Sequence, residues 1–179
     1  MMSHDQTIPV NDELWMSPLV ADDREACVEL LNNRELERRM LSVPHPYGQP
    51  EFDSFLAIAA AAREGQGCDV HFAIRHKGEG MIGGCGFQGI KPGHRVEVGY
   101  WLGQPYWGRG FMTPVVAAAC KIAIDTWGVK RIEAYVFDGN NRSARVLEKN
   151  GFCFEGLLRK FDRKGDDFID TRVFAKIVD

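Results

Sequence analysis

Trp101-Leu102-Gly103-Gln104-Pro105-Tyr106-Trp107-Gly108-Arg109-Gly110-Phe111-Met112-Thr113-Pro114 decides the reading of this chain, because it joins a strand to a helix through a loop free of acidic side chains. Gly108 and Gly110 let the backbone come close to a ligand, and Arg109 adds a fixed positive charge between them. The helix that follows aims its unpaired N–H groups and the positive end of its dipole back at the loop. Pro114 fits the first helical turn, where its missing N–H removes no intrahelical bond, and Thr113 before it can cap. Such a loop is built to cradle phosphate.

Upstream of the loop, the alternation of Val96, Val98, Tyr100 and Leu102 predicts a strand over Arg95 to Leu102, with Glu97, Gly99 and Trp101 on its opposite face. Two further strands precede it, Val70 to His76 and Met81 to Ile90, joined by turns at Lys77-Gly78-Glu79-Gly80 and Lys91-Pro92-Gly93. The first third of the chain reads as a strand over Glu13 to Val20 and three helices. The first helix is capped by Asp22 or Asp23, the second covers Asn33 to about Leu41, and the third covers Phe52 to Arg63. Pro44-His45-Pro46-Tyr47-Gly48-Gln49-Pro50 breaks that helical run as a rigid loop. Downstream, Thr113 to Trp127 is apolar nearly all round and predicts a helix buried on the sheet, followed by a strand over Ile132 to Phe137. Asn140 or Asn141 caps the last helix, Asn150-Gly151 stops it, and two final strands meet at Lys164-Gly165-Asp166. The expected organisation is a polar tail over residues 1–12 and one domain over residues 13–179.

With 179 residues and 45% hydrophobic content, the chain can bury one substantial core. A formal net charge of −3 supplies no basic field for nucleic acid and no polybasic membrane signal, so an anionic ligand must be held locally. The five cysteines, Cys27, Cys68, Cys85, Cys120 and Cys153, are odd in number and never paired as CxxC, which suggests neither a disulfide framework nor a zinc site. Without an apolar leader or a spanning apolar run, the expectation is a soluble, cytoplasmic protein, monomeric or homodimeric, with no nucleic-acid or membrane partner.

Three motifs in order carry a family resemblance: Glu97-Val98-Gly99-Tyr100-Trp101-Leu102, then Trp107-Gly108-Arg109-Gly110-Phe111, then Asn140-Asn141-Arg142-Ser143-Ala144-Arg145-Val146-Leu147-Glu148-Lys149-Asn150-Gly151-Phe152. Together with the element order, they make the chain from Leu14 to Ile177 resemble the GNAT superfamily of acyl-CoA N-acyltransferases. The branch it looks like includes the ribosomal-protein-alanine N-acetyltransferases. The resemblance implies an α/β fold in which a mixed, mostly antiparallel sheet of six to seven strands is flanked by helices. It also implies acetyl-CoA as co-substrate, no metal, and a pyrophosphate held by backbone N–H groups of the loop. Trp107, Gly108, Arg109, Gly110, Phe111, Met112 and Thr113 are then the cofactor-binding stretch. Met112 occupies a position where the superfamily has a small residue, and Pro114 one where the branch often has Glu.

Acetyl transfer to an amine needs a neutral amine, donors that polarise the thioester oxygen, and a proton for the departing thiolate. By resemblance the Glu97 face lines the acceptor cleft, and a carboxylate there can take the amine proton directly or through water. An apolar surround that raises its pKa would help. A sheet-surface carboxylate paired with Arg95 or a cross-strand base is the plainer reading of the same residue. The thioester carbonyl is expected at backbone N–H groups near Trp101 and Leu102, freed by a bulge or splay after Gly99. Asn140 and Ser143, three apart at a helix start, can both face the pantetheine arm, with Ser143 the candidate to protonate the thiolate. Equally, Asn140 can be a simple cap and Ser143 a first-turn residue. The superfamily's frequent tyrosine acid is replaced here by Leu147. Arg109 and Arg142 are the candidates for the 3′-phosphate.

None of the cysteines sits in the motifs at the thioester end, and Cys120 and Cys153 read as core residues, so direct transfer in a ternary complex is expected rather than a covalent acyl-enzyme. The acceptor is expected between the early helices, with His45 and Tyr47 of the proline loop, and the hairpin around Asp162 to Phe168. It is a protein N-terminal amine on the branch resemblance, or a small amine such as a polyamine, amino acid or antibiotic. A non-catalytic acyl-CoA sensor would need the loop but neither Glu97 nor Ser143. Gly84-Cys85-Gly86-Phe87-Gln88-Gly89 fits G-x-G-x-x-G, yet Lys91-Pro92-Gly93 follows it too soon for a dinucleotide-binding helix.

Overall fold

The computed structural model describes residues 7–179. Among these residues eight strands hydrogen-bond in the order β1-β2-β3-β4-β5-β6-β8-β7, with helices α1 to α5 between them in sequence. The strands are β1 (Ile8–Pro9), β2 (Leu14–Pro18), β3 (His71–His76), β4 (Gly80–Lys91), β5 (Arg95–Leu102), β6 (Arg131–Phe137), β7 (Cys153–Lys164) and β8 (Asp167–Ile177). The helices are α1 (Arg24–Leu31), α2 (Arg34–Glu37), α3 (Gln49–Gln66), α4 (Met112–Trp127) and α5 (Asn141–Lys149). β5 and β6 run parallel, whereas β1–β2, β2–β3, β3–β4, β6–β8 and β7–β8 are antiparallel. This is the expected mixed sheet with one strand more than six to seven. The addition is Ile8–Pro9, which pairs with Trp15 and Met16 and so draws part of the anticipated 1–12 tail into the sheet. Its turn is made by Asn11, whose Oδ1 accepts the N–H groups of Glu13 and Leu14 at 2.9 and 2.8 Å. Residues 1–6 of that tail lie outside the described residues.

The chain packs as two compact units, one running through Gly86 and taking in Tyr100–Phe111, the other made of Phe87–Gly99 and Met112–Asp179. In the first, Cys27, Leu31, Leu36, Val43, Tyr47, Phe52, Ala73 and Met81 form a buried cluster. Strand β2 buries Leu14, Met16 and Pro18 in strict alternation, as a strand with one covered face should. Asp23, 4% exposed, takes Arg75 in a bidentate pair at 2.7 and 3.0 Å and accepts the Val20 N–H at 2.9 Å. It therefore ties the start of α1 to β3 instead of capping the helix with its side chain. Asn33 does cap, accepting from Glu35 and Leu36, but α2 is a single turn ending at Glu37 rather than reaching Leu41. Helix α3 starts before Phe52, with Pro50 in its first turn and Glu51 accepting the Gly48 N–H at 2.9 Å.

In the second unit, α4 buries Val115, Val116, Ala119, Cys120 and Ala123. Helix α5 closes with a complete Schellman motif: Gly151 takes φ +79° and donates to Glu148 O at 3.0 Å, and Phe152 donates to Leu147 O at 3.1 Å. Asn150 Nδ2 then donates to Thr113 O at 3.1 Å, fastening the end of α5 to the first turn of α4. Cys120 is buried as expected. Cys153 is not: it opens the edge strand β7 and is exposed.

Candidate active site

The end of β5 and the glycine loop belong to the first unit as far as Phe111. Gly103 N–H donates to Ile82 O on β4 at 2.9 Å. Alternation along the strand then turns Leu102 to the opposite edge, N–H and C=O together. The Leu102 carbonyl is taken there by the indole N–H of Trp107 at 2.6 Å, bridging the short 3₁₀ turn at Gln104–Tyr106. Trp107 packs on the apolar cluster and carries the Arg39 guanidinium 5.3 Å above its ring. Trp101 is fitted to β4 by missing side chains, since a methyl group at Gly84 would collide with its indole. That contact accounts for Gly84, and a methyl group at Gly86 would meet His71 Nδ1 and the Val70 carbonyl, so neither glycine needs a nucleotide to explain it.

Gly108 and Gly110 take φ of +78° and +80° on either side of Arg109. A methyl group at either would meet nothing within 4 Å, so the left-handed backbone, and not crowding, selects glycine. Arg109 is exposed, with its guanidinium 5.5 Å over the Tyr106 ring, and the Phe111 ring lies 5.2 Å from that of His76. Helix α4 begins one residue earlier than expected, at Met112, so Thr113 stands inside the first turn and is not the cap. Pro114 remains in that turn, where no intrahelical bond is lost, and no acidic residue neutralises the helix start.

The remaining sequence-predicted residues, Glu97, Met112, Thr113, Asn140, Arg142 and Ser143, belong to the second unit. Asn140 is the N-cap of α5, its Oδ1 accepting the Ser143 N–H at 3.4 Å, so these two are brought together. Arg142 is exposed and Ser143 partly so.

β5 pairs with β6 through Arg95, Val96 and Glu97 only, although β5 runs on to Leu102. The expected parting after Gly99 therefore begins two residues earlier. The register Glu97↔Glu133↔Ala175 puts Glu97, Glu133, Tyr135 and Thr171 on one face of the sheet. Arg95 does not pair with Glu97. It donates to Glu133 at 2.6 Å, and Arg131 donates to the other Glu133 oxygen at 2.6 Å while also holding Glu155. Burial pushes the Glu133 carboxyl up, but the bonds from Arg131 and Arg95 together hold it below its ordinary value. Glu97 goes the other way. Burial raises its pKa, the Gln88 amide donating at 2.5 Å opposes that rise, and the negative charges of Glu133 and Asp162 add to it. These paired carboxylates are thus shifted in opposite directions, Glu133 down through its two arginines and Glu97 up through burial.

The sequence reading did not single out Gln88 or Thr171, whose hydroxyl donates to Asp162 at 2.6 Å. Counting back from the Lys91-Pro92-Gly93 turn would have set Gln88 near Glu97. Tyr47, expected at the acceptor, is 5% exposed and hydrogen-bonded to Cys27 in the core. Among the described residues no group of His, Cys, Asp and Glu could hold a metal ion, and no helix is long and apolar enough to cross a membrane.

The model of the acetyltransferase (GNAT) domain family matches residues 13–153. An uncharacterized N-acetyltransferase p20 of Bacillus licheniformis is 27% identical over 92% of both chains. The ribosomal-protein-serine acetyltransferase of Escherichia coli is 23% identical over 97% of this chain and 98% of its own. Among solved structures, a ribosomal L7/L12 α-N-protein acetyltransferase in complex with coenzyme A superposes with a TM-score of 0.86 at 21% identity, covering 97% of this chain and 99% of that one. The order of strands, the left-handed glycines ahead of α4 and the family match over most of the chain lead to one conclusion: this protein belongs to the GNAT family of acetyltransferases.

Proposed function

We propose that the protein transfers an acetyl group from acetyl-CoA directly to a primary amine, with a protein N-terminal α-amine as the acceptor. The observation that carries this reading is Glu97: half-buried, hydrogen-bonded by Gln88 and held above the ordinary carboxylate range. A non-catalytic acyl-CoA-binding sensor has no use for such a base. In the proposed reaction Glu97 takes the proton of the acceptor ammonium, directly or through one water, and the neutral amine attacks the thioester carbonyl. The Leu102 N–H, on the edge of β5 turned away from β4, donates to the carbonyl oxygen as it becomes an oxyanion. As the tetrahedral intermediate collapses and the C–S bond breaks, the Ser143 hydroxyl or a water passes a proton to the thiolate and takes up in its place the proton that the attacking nitrogen sheds in becoming an amide. Trp107, Gly108, Arg109, Gly110, Phe111, Met112 and Thr113 hold the pyrophosphate, mainly through backbone N–H groups. Asn140 orients the pantetheine arm, and Arg109 and Arg142 serve the 3′-phosphate.

Direct transfer is supported at Cys27 and Cys120, whose thiols burial pushes up to about 12 and about 11, far from the thiolate a covalent route needs. The α-amine acceptor is supported by relatives named as ribosomal-protein acetyltransferases, including the Escherichia coli uS5-alanine enzyme, 31% identical over 45% of this chain. The test is thiol release from acetyl-CoA against peptides with free serine or alanine N-termini, polyamines, amino acids and aminoglycosides. Turnover on the peptides is expected. Turnover confined to small amines overturns the acceptor, and coenzyme A binding without turnover on any amine overturns the reaction.

A further inference from the structure

We infer that the Arg159-Lys160-Phe161 bulge of β7, pinned by the Asp170 carboxylate on the Lys160 N–H, is a positioning device for the acceptor side of the site, setting Phe161 on Tyr135 and Asp162 on the Glu97 face. The proposal rests on the transferase reading above. The register of β7 against β8 jumps from Leu158↔Thr171 to Asp162↔Ile169, so three residues stand opposite Asp170 alone. Lys160, at φ 52°, is the one non-glycine among the described residues with positive φ. Its N–H donates to Asp170 Oδ1 at 2.7 Å, while the Asp170 carbonyl accepts from Asp138 N–H at 2.8 Å, which fixes the pin itself.

The consequence is a change of charge. A regular ladder continued from Leu158↔Thr171 would put Lys160 opposite Ile169, on the face that carries Glu97, Glu133 and Thr171. With two extra residues absorbed in the bulge, Asp162 takes that position instead and accepts the hydroxyl of the fully buried Thr171 at 2.6 Å. The bulge also lays the Phe161 ring on Tyr135, 5.8 Å between centroids and 9° from parallel. The strained backbone thus replaces an ammonium by a carboxylate and an aromatic shelf beside the candidate base. The groups facing Glu97 are then Gln88 from β4, Arg95 from β5, Glu133 and Tyr135 from β6 and Asp162 from β7.

The test uses D170A, D170N and the double variant D170A/K160G, each assayed for KM of both substrates and for the pH dependence of kcat/KM. D170A removes the acceptor of the Lys160 N–H and is expected to lower kcat/KM for the amine about tenfold while leaving the acetyl-CoA KM unchanged. Its acidic limb should move to lower pH as Asp162 leaves Glu97. D170N keeps an oxygen acceptor and should stay near wild type. Glycine at position 160 accepts the positive φ freely, so K160G should restore much of what D170A loses. A D170A protein with wild-type amine kinetics and pH profile overturns the inference. So does a loss shared equally by both substrates and not rescued by K160G. Wild-type protein that acetylates no amine defeats the transferase reading and this role with it, whereas wild-type turnover with an indifferent D170A defeats this role alone.

Discussion

Replacing Glu97 with glutamine separates catalysis from stability. The carboxylate is half-buried, and its one hydrogen-bond donor is Gln88 Nε2 at 2.5 Å. A carboxamide has the same shape and still offers an oxygen to that donor, so no cavity and no orphaned amide result. Removing a positioned base costs roughly 100- to 1,000-fold in turnover, or about 2.7–4.1 kcal/mol at ~1.36 kcal/mol per tenfold. Stability should move the other way. Because burial, Glu133 and Asp162 raise the folded-state pKa of Glu97, its contribution to stability is fully present below the unfolded-state value and is lost as pH rises through the folded one. At neutral pH the ionised carboxylate is therefore a liability that E97Q removes. Measured kcat/KM should rise with pH through an acidic limb above the ordinary glutamate range in the wild type, and that limb should vanish in E97Q. E97Q should melt at or above the wild-type temperature at pH 7. A variant that keeps both turnover and the acidic limb refutes the base assignment. Lost activity with a clearly lowered melting temperature refutes the claim that the loss is chemical.

Three other perturbations probe the frame around the base. Gly110→Ala forces a side chain into φ +80° with nothing nearby to clash, so about 1–2 kcal/mol of backbone strain should appear as a rise of roughly tenfold in the acetyl-CoA KM, read by steady-state kinetics. Trp107→Phe strips the Leu102 carbonyl of its donor at a cost of about 1–3 kcal/mol, and calorimetric unfolding with coenzyme A titration should register both a lower melting temperature and weaker binding. Asp23→Ala leaves Arg75 without its bidentate partner in a buried setting, a loss of about 3 kcal/mol. At roughly 2–4 °C per kcal/mol for a chain of this size, thermal unfolding should begin about 6–12 °C lower.

The elements that could be read from the sequence are those whose side chains repeat with a period or whose ends carry a specific residue. β5 was legible to the residue because Val96, Val98, Tyr100 and Leu102 alternate against Glu97 and Trp101, and α5 because Asn140 and Gly151 bracket it. β1 was not, since two residues have no period and its turn depends on a single Asn11 side chain. The start of α4 slipped by one because Met112 is buried on the helix and enters it directly after Phe111, which propensity alone does not signal. Tyr47 and Cys153 exchanged their expected places for reasons of tertiary packing: the proline loop folds its tyrosine onto Cys27, and β7 is an edge. The candidate base was legible by face, but its partners were not. Arg95, adjacent on β5 and the obvious ion-pair partner, is drawn to Glu133 on the neighbouring strand, and Gln88 takes its place. The β7 bulge lies in Arg-Lys-Phe, with no glycine to announce a left-handed residue.

Acetyl transfer from acetyl-CoA to an α-amine with Glu97 as base is read by mass spectrometry of a serine- or alanine-initiated peptide incubated with acetyl-CoA and either wild-type protein or E97Q. One acetyl group on the peptide α-amine is expected with the wild type, and almost none with E97Q, under conditions where both proteins are folded and bind coenzyme A. An unmodified peptide with wild-type protein saturated in acetyl-CoA, or equal acetylation by the two proteins, would contradict it.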